Sequence, residues 1–261
     1  MRALNSAASG MYAEQLHIDN IANNLANVNT TGFKRSRMEF QDLIYQTMRS
    51  PGASQESGQI LPSELQIGHG VRPTATQKSF EQGNPQQTGN PLDICVDGDG
   101  FFQVSKPDGT TLYSRDGSFK VSPDGGIVTS DGYLLEPSLT VPQDTVSLTI
   151  AKDGTVSALQ VGEVEPQALG QIELARFVNP AGLSAIGQNL FQETVASGPA
   201  ILGNPGTEGM GQLSQGYLEG SNVHVVEEMV AMIMAQRAYE ISSKAIKTSE
   251  EMLQIASGLK R

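Results

Sequence analysis

The stretch NIANNLANVNTTGFKR, residues 20–35, places five asparagines within ten positions and then stops in Thr-Thr-Gly-Phe. Asparagine is a poor helix former, yet Ile21, Leu25 and Val28 keep helical spacing. The same spacing reaches back to the start of the chain. Leu4, Met11, Ile18 and Leu25 are seven apart, and Ala7, Glu14, Ile21 and Val28 form a companion series. All but Glu14 are apolar, which is the a/d pattern of a heptad. No proline interrupts residues 1–32; Gly10 weakens the middle. Thr30-Thr31-Gly32 supplies a stop, with Gly32 as a candidate left-handed cap. The spacing predicts a helix over residues 3–28, about 39 Å long at about 1.5 Å per residue.

A second helix is predicted over residues 223–257. Val225, Met232, Tyr239, Ile246 and Leu253 are again seven apart, with Met229, Ala235 and Ala256 widening the stripe. Ser221 or Asn222 is placed to cap its start; Glu227-Glu228 suit the positive end of the helix dipole, and Lys260 and Arg261 the negative end. Two stripes at opposite chain ends either pack on each other or on the domain between them, or form a coiled coil shared between subunits. Asn20, Asn23, Asn24 and Asn27 lie in a narrow row, roughly 130° around the helix from the stripe of Ile18, Ile21, Leu25 and Val28. A wet face usually carries Glu, Lys or Gln, whereas asparagine offers paired donors and acceptors without charge. That chemistry suits contacts between helices. The same composition makes the first helix marginal alone, so it is expected to order on assembly.

Between the helices the grammar changes. Asp-Gly occurs at 97–98, 99–100, 108–109, 116–117, 124–125, 131–132 and 153–154, and Asp-Gly is a strong hairpin signal. Short β-type runs fill the intervals: FFQVS, TLYS, SFKVS, GIVTS and YLLE, then VSLTIAK, TVSALQV and QIELARFV. An all-β region of short antiparallel strands is predicted over 75–215. Residues 45–74 are rich in Gly, Ser, Gln and Pro. They read as a flexible linker or, because ILPSELQIG carries apolar residues, as an extended arm lying on a neighbour.

The 261 residues carry a net charge of −11, so a polyanion such as nucleic acid is an unsuitable partner. The one basic knot, Lys34, Arg35 and Arg37, is followed by Glu39 and Asp42 and reads as a solvated loop face. Cys95 is the single cysteine, set among apolar residues, and reads as a small core residue. The first residues lack the continuous apolar run of a secretory signal, and the run 229–235 is too short to span a membrane. Taken alone, these features point to the cytoplasm.

No catalytic, metal or cofactor site emerges. Read as a calcium loop, DGDGFF lacks the glycine at its sixth position. His17, His69 and His224 are scattered, GASQE and GLSAI lack the closing glycine of a nucleophile elbow, and no phosphate-binding glycine motif occurs. A β-domain enzyme or glycan-binding protein oligomerised by its helices is the alternative reading, with no converging carboxylates to support it.

NNLANVNTTGFKR near the start resembles the signature of the bacterial flagellar rod and hook family. The block YLEGSNVHVVEEMVAMIMAQRAYEISSKAIKTSEEMLQIA resembles its C-terminal signature, and LDICVDGDGFFQV and YSRDGSFKVSPDGGIVTSDGYLLEP its β segments. The likeness covers nearly the whole chain. A length near 260 and the form of residues 44–93 are most similar to the distal rod branch, with the proximal rod or another axial subunit as the runner-up. The resemblance implies a structural subunit, not an enzyme, that polymerises helically into a hollow shaft. It implies an α+β fold: residues 1–34 and 216–261 are helices pairing as a coiled-coil core, 35–74 a connecting region with an extended arm, and 75–215 an outer β domain. By motif match the core role falls on Leu4, Met11, Ile18, Ile21, Leu25 and Val28, on Val225, Met232, Tyr239, Ile246 and Leu253, and on Asn23, Asn24 and Asn27. Asn29, Thr31, Gly32, Phe33, Ser221, Asn222, Glu228, Gln236, Arg237 and Ala238 complete the family signature. Residues 45–65 resemble the insertion that separates a stiff rod from a bendable hook. The implied partners are further copies of the chain, proximal rod proteins, the hook protein, the L- and P-ring bushings and the flagellar type III export apparatus, with no cofactor and no membrane insertion. The implied location is the basal-body rod from periplasm to outer membrane, reached without a cleavable signal.

Overall fold

The N-terminal heptad folds as helix α1, Arg2–Ala26. In the computed structural model, which describes residues 2–49, 63–163, 165–207 and 209–258, no position of the predicted stripe is exposed. Ile21 is fully buried and the other seven are half-buried. The helix stops because Asn27 turns the chain. The Thr30 N–H donates to the Asn27 carbonyl and the Thr30 hydroxyl to Asn27 Oδ1, both at 3.2 Å. Gly32 is left-handed, with φ 67°, but it lies beyond the helix end. Its reason is space: a Cβ there would sit 2.7 Å from Asp116 N and 2.8 Å from the Arg115 carbonyl carbon.

The chain divides into two units. One is built from Met1–Leu25, Ser36–Gln77 and His224–Arg261, the other from Ala26–Arg35 and Lys78–Val223. In the first unit the residues after α1 form strands β1 (Ser36–Asp42), β2 (Tyr45–Arg49), β3 (Leu65–Gly68) and β4 (Val71–Lys78). Strand β1 pairs with β4, and β2 runs antiparallel to β3 with Tyr45 opposite Gly68. Leu43 N–H donates to Gly70 O at 2.8 Å between the two pairs. Over its described residues this segment is therefore paired strand, not a flexible linker. Its tip, 50–62, with Ile60 and Leu61, lies outside the described residues.

Helix α2 spans Val225–Gly258. Its first turn holds Glu227 and Glu228, as the dipole argument expects; Lys260 and Arg261 lie outside the described residues. One expectation fails here. Ser221 and Asn222 do not cap α2: the Ser221 hydroxyl accepts from Val223 N–H at 3.3 Å, and Asn222 is engaged elsewhere. Within the single chain the predicted stripe is covered only in part, with Met232 and Ile246 half-buried. Val225, Tyr239 and Leu253 are exposed, while Glu228, Ala235 and Ser249 are buried and Ser242 is half-buried. These four are seven apart too, offset by three from the predicted row. A Cβ on Gly10 would lie 3.6 Å from Ser242 Oγ, and Asn24 bonds Glu228. The two contacts are equally spaced on both helices and in opposite order, so α1 and α2 run antiparallel where they meet.

The second unit is β-rich and antiparallel. Its largest sheet has nine strands, with Phe101–Ser105 at the centre between Thr111–Ser114 and Leu134–Glu136. Asp-Gly makes the predicted hairpin turn at 108–109, 124–125, 131–132 and 153–154, where the flanking strands pair. At 97–98, 99–100 and 116–117 it does not, because Ile94–Asp97 pairs instead with Gln212–Gln215, and Thr111–Ser114 with Leu190–Gln192. The core gathers Ile94, Val96, Phe102, Phe119, Leu135, Val156, Ile172, Leu174 and Leu213.

Cys95 is buried beside this core, and burial pushes its thiol up to about 11. Only the thiolate is nucleophilic. In the folded chain Cys95 is therefore expected to resist iodoacetamide at neutral pH and to react fully in denaturant. Equal rates in both conditions would remove Cys95 from the folded core.

Candidate functional site

Two polar clusters tie the chain where it leaves the helices. The first lies in the helical unit. Asn24 is almost fully buried. Its Nδ2 donates to Ser36 O at 2.8 Å and to Glu228 Oε2 at 3.2 Å. Its Oδ1 accepts from Ser36 N–H at 3.0 Å and from the Ser36 hydroxyl at 3.1 Å. Asn20, one turn earlier, donates to Ser36 O at 2.8 Å and accepts from the Ser36 hydroxyl at 2.7 Å. One side of the asparagine row thus grips the first residue of β1 and the first turn of α2. An amide carries separate donor and acceptor atoms on one rigid group, so it can donate to a carbonyl and accept from the N–H of the same residue at once.

The second cluster lies in the β unit. Lys34 is 1% exposed and its Nζ sits 2.7 Å from Glu219 Oε1, itself in a residue 1% exposed. This overturns the reading of Lys34 as part of a solvated basic face; of that knot, Arg37 alone is shown largely exposed, 4.0 Å from Glu39. The Lys34 ammonium also donates to Glu81 O at 2.7 Å. Arg115, equally buried, places Nη1 3.5 Å from Glu219 Oε2 and donates from Nη2 to Gly98 O at 2.8 Å. Its guanidinium carbon lies 5.2 Å from the centre of the Phe101 ring. Burial pulls both cations below their usual range, and the Glu219 carboxylate opposes that pull. Glu219 Oε1 accepts a further bond from Gly83 N–H at 2.9 Å. Removing one partner from such a pair costs about 3–5 kcal/mol, because the other is left buried and unpaired.

Around this core Asn222 Oδ1 accepts from Arg35 N–H at 2.7 Å, and its Nδ2 donates to Ser79 O and Glu81 O at 3.0 and 3.1 Å. Ser79 N–H returns to Arg35 O, and Gly32 N–H donates to Glu219 O, both at 2.8 Å. Thr31 O accepts from Asn189 Nδ2 at 2.8 Å, and Phe33 is buried under Lys78 Nζ, 5.1 Å from the ring centre.

The structure therefore brings together Asn24 and Glu228 in one cluster, and Thr31, Gly32, Phe33 and Asn222 in the surroundings of the other. Asn23, Asn29, Gln236 and Arg237 face outward, Asn27 and Ala238 are half-buried, and Arg237 pairs with Glu240 one turn away at 3.1 Å. Sequence reasoning missed Ser36, Lys34, Arg115 and Glu219. The only local sign of Lys34 is its place directly after the apolar Phe33.

A further surface is apolar. Along α2, Val226, Val230, Ile233, Met234, Ile241 and Ile255 are more than half exposed. No helix among the described residues is long and apolar enough to cross a membrane. Ile44, Tyr45, Met48, Leu65 and Ile67 form a second exposed group on and beside β2 and β3. Charge lies elsewhere: residues 26–35 and 78–223 hold eight of the 17 Lys and Arg but seventeen of the 28 Asp and Glu.

Asn24→Leu is expected to lower the stability of the helical unit by about 3 kcal/mol, since Ser36 and Glu228 lose buried partners. Gln15→Glu, at an exposed position of the same helix, is expected to stay within about 0.5 kcal/mol of the parent. Thermal melts of the helical circular dichroism compare them, and equal melting of Asn24→Leu and parent would sink the assignment.

Comparison with known proteins places these features in one family. The family model described as Flagella basal body rod protein matches residues 4–34, Flagellar hook protein FlgE/F/G D1 domain matches 95–158, and Flagellar basal body rod FlgEFG protein C-terminal matches 214–259. The flagellar basal-body rod protein FlgG of Borreliella burgdorferi is 55% identical over 263 residues, covering 100% of this chain and 99% of its own. That of Caulobacter vibrioides is 49% identical over 261 residues, 100% of each chain. That of Buchnera aphidicola subsp. Schizaphis graminum is 49% identical over 251 residues, 96% of each. The chain belongs to the FlgG family of flagellar basal-body rod proteins, which are structural axial subunits and not enzymes.

Proposed function

We propose that this rod subunit polymerises helically into the hollow distal rod, the shaft between the motor and the hook. The observation that carries this reading is the exposed apolar face of α2 in a chain whose likeness to rod proteins runs end to end. A face of that size needs a partner. Further copies of α1 and α2, pairing as a coiled-coil core built on residues 1–34 and 216–261, supply one of matching chemistry. On this reading Leu4, Met11, Ile18, Val225, Met232, Tyr239, Ile246 and Leu253 join the packed interior of the shaft, with Asn23 and Asn27 as polar contacts between neighbouring helices.

The β region 75–215 then faces outward and carries most of the acid. An acidic exterior keeps shafts apart by charge repulsion and suits rotation inside the L- and P-ring bushings. The connecting region 35–74 extends as an arm to a neighbouring subunit, using the apolar residues on β2 and β3. Proximal rod proteins and the hook protein meet the two ends of the shaft. The chain reaches its place through the type III export apparatus and crosses from periplasm to outer membrane.

Negative-stain microscopy of concentrated protein tests this reading. Tubes of one diameter are expected, and discrete closed oligomers would replace the shaft with another assembly. Ile233→Asp combined with Ile241→Asp is expected to abolish tubes while Cys95 keeps its protection from alkylation. Normal tubes from that variant would mean that the α2 face is not the interface.

A further inference from the structure

The chain passes between the two units four times, at 25/26, 35/36, 77/78 and 223/224. Within the β unit, every segment that begins or ends at one of these passages contributes to the cluster around Glu219. Segment 26–35 gives Gly32 N–H, the Lys34 ammonium and both backbone groups of Arg35. The segment after Lys78 gives Ser79, the Glu81 carbonyl and Gly83 N–H. The segment before His224 gives Glu219 and Asn222. Arg115 enters from the central sheet and holds the second carboxylate oxygen.

The backbones in this cluster touch directly. A Cβ on Gly32 would strike the Arg115 backbone, and one on Gly83 would overlap the carbonyl of Gly220. At these two points no side chain cushions the backbones.

We propose that the Lys34–Glu219–Arg115 cluster is a spacing clamp, which sets the separations at which the chain leaves the β unit and adds little to that unit's stability. Buried ion pairs are often no more stabilising than apolar residues of the same volume, because desolvation offsets their attraction. They differ from apolar packing in direction. The Glu219 carboxylate, itself on one exit segment, takes donors from Lys34 and Gly83 on the other two and from Arg115 in the central sheet, and so fixes their separations, whereas methyl groups tolerate sliding. In a helical polymer each subunit repeats the same departure geometry, so a small error recurs at every step. The purpose of the clamp rests on the rod reading; its existence does not.

The test uses the full chain with the triple substitution Lys34→Met, Arg115→Met and Glu219→Leu. The expected result is a folded β unit with an unchanged or higher melting temperature and a protected Cys95. Hydrogen exchange at Gly83, Ser79 and Arg35 should quicken by about tenfold or more, reporting local opening, and tubes should be irregular or absent. Unchanged exchange overturns the proposal. So does loss of folding, which would make the cluster a stability element, and so do regular tubes from a variant with quickened exchange. Exchange is read on the monomer, so a parent chain that forms no tubes counts against the rod reading and leaves the clamp to be decided by exchange.

Discussion

The buried carboxylate of Glu219 is the constraint on which the arrangement of the β unit's exits depends. It is cut off from water and accepts from a lysine, an arginine and a backbone N–H. Its position follows from Tyr217–Glu219, which pairs antiparallel with Pro85–Gln87 and brings Gly83 and Glu81 into reach. Lys34 can occupy the same place because Gly32 lets the chain run flush against Arg115 and Asp116. Each of these facts requires the others. Without Gly32 the lysine is held away, and without the lysine one carboxylate oxygen loses its cation.

The helical unit solves a similar problem without charge. Asn24 bonds both backbone groups of Ser36 and one oxygen of Glu228, so one amide links α1, β1 and α2. A lysine could donate there but not accept, and a carboxylate could accept but not donate. The neutral amide is the side chain that satisfies both demands in a buried setting. The asparagine row has a different function on each flank: Asn20 and Asn24 hold this chain's own turn, while Asn23 lies on the outer side.

What could be read from the sequence was what is decided locally. The two helices follow from heptad spacing, and four hairpins from Asp-Gly between β-type runs. Three other Asp-Gly pairs misled because a hairpin also needs its flanking strands to choose each other, and Ile94–Asp97 chooses a strand more than a hundred residues later. Lys34 looked solvated for the same reason: its carboxylate partner lies 185 positions away. The buried seam of α2 was missed on different grounds. Ala235, Ser242 and Ser249 are small, and a search for apolar bulk selects Val225, Tyr239 and Leu253 instead. Small residues score low in any apolar pattern, so a buried row made of them is hidden from it.

That seam explains why α2 has apolar residues to spare. Its buried row is made of Glu228, Ala235 and Ser249, so its large apolar side chains are left on the outside. Ordinary amphipathic helices bury their bulk and expose their polar residues; α2 does closer to the reverse. Such a helix is costly for an isolated chain and favourable for one that meets many copies of itself. The net charge of −11 supplies the opposing force, holding copies apart at a distance while the apolar face attracts at contact. Because most of that charge lies in the β unit, contact between helical units opposes little of it. The charge distribution thus favours association through the helical units over contact between β units.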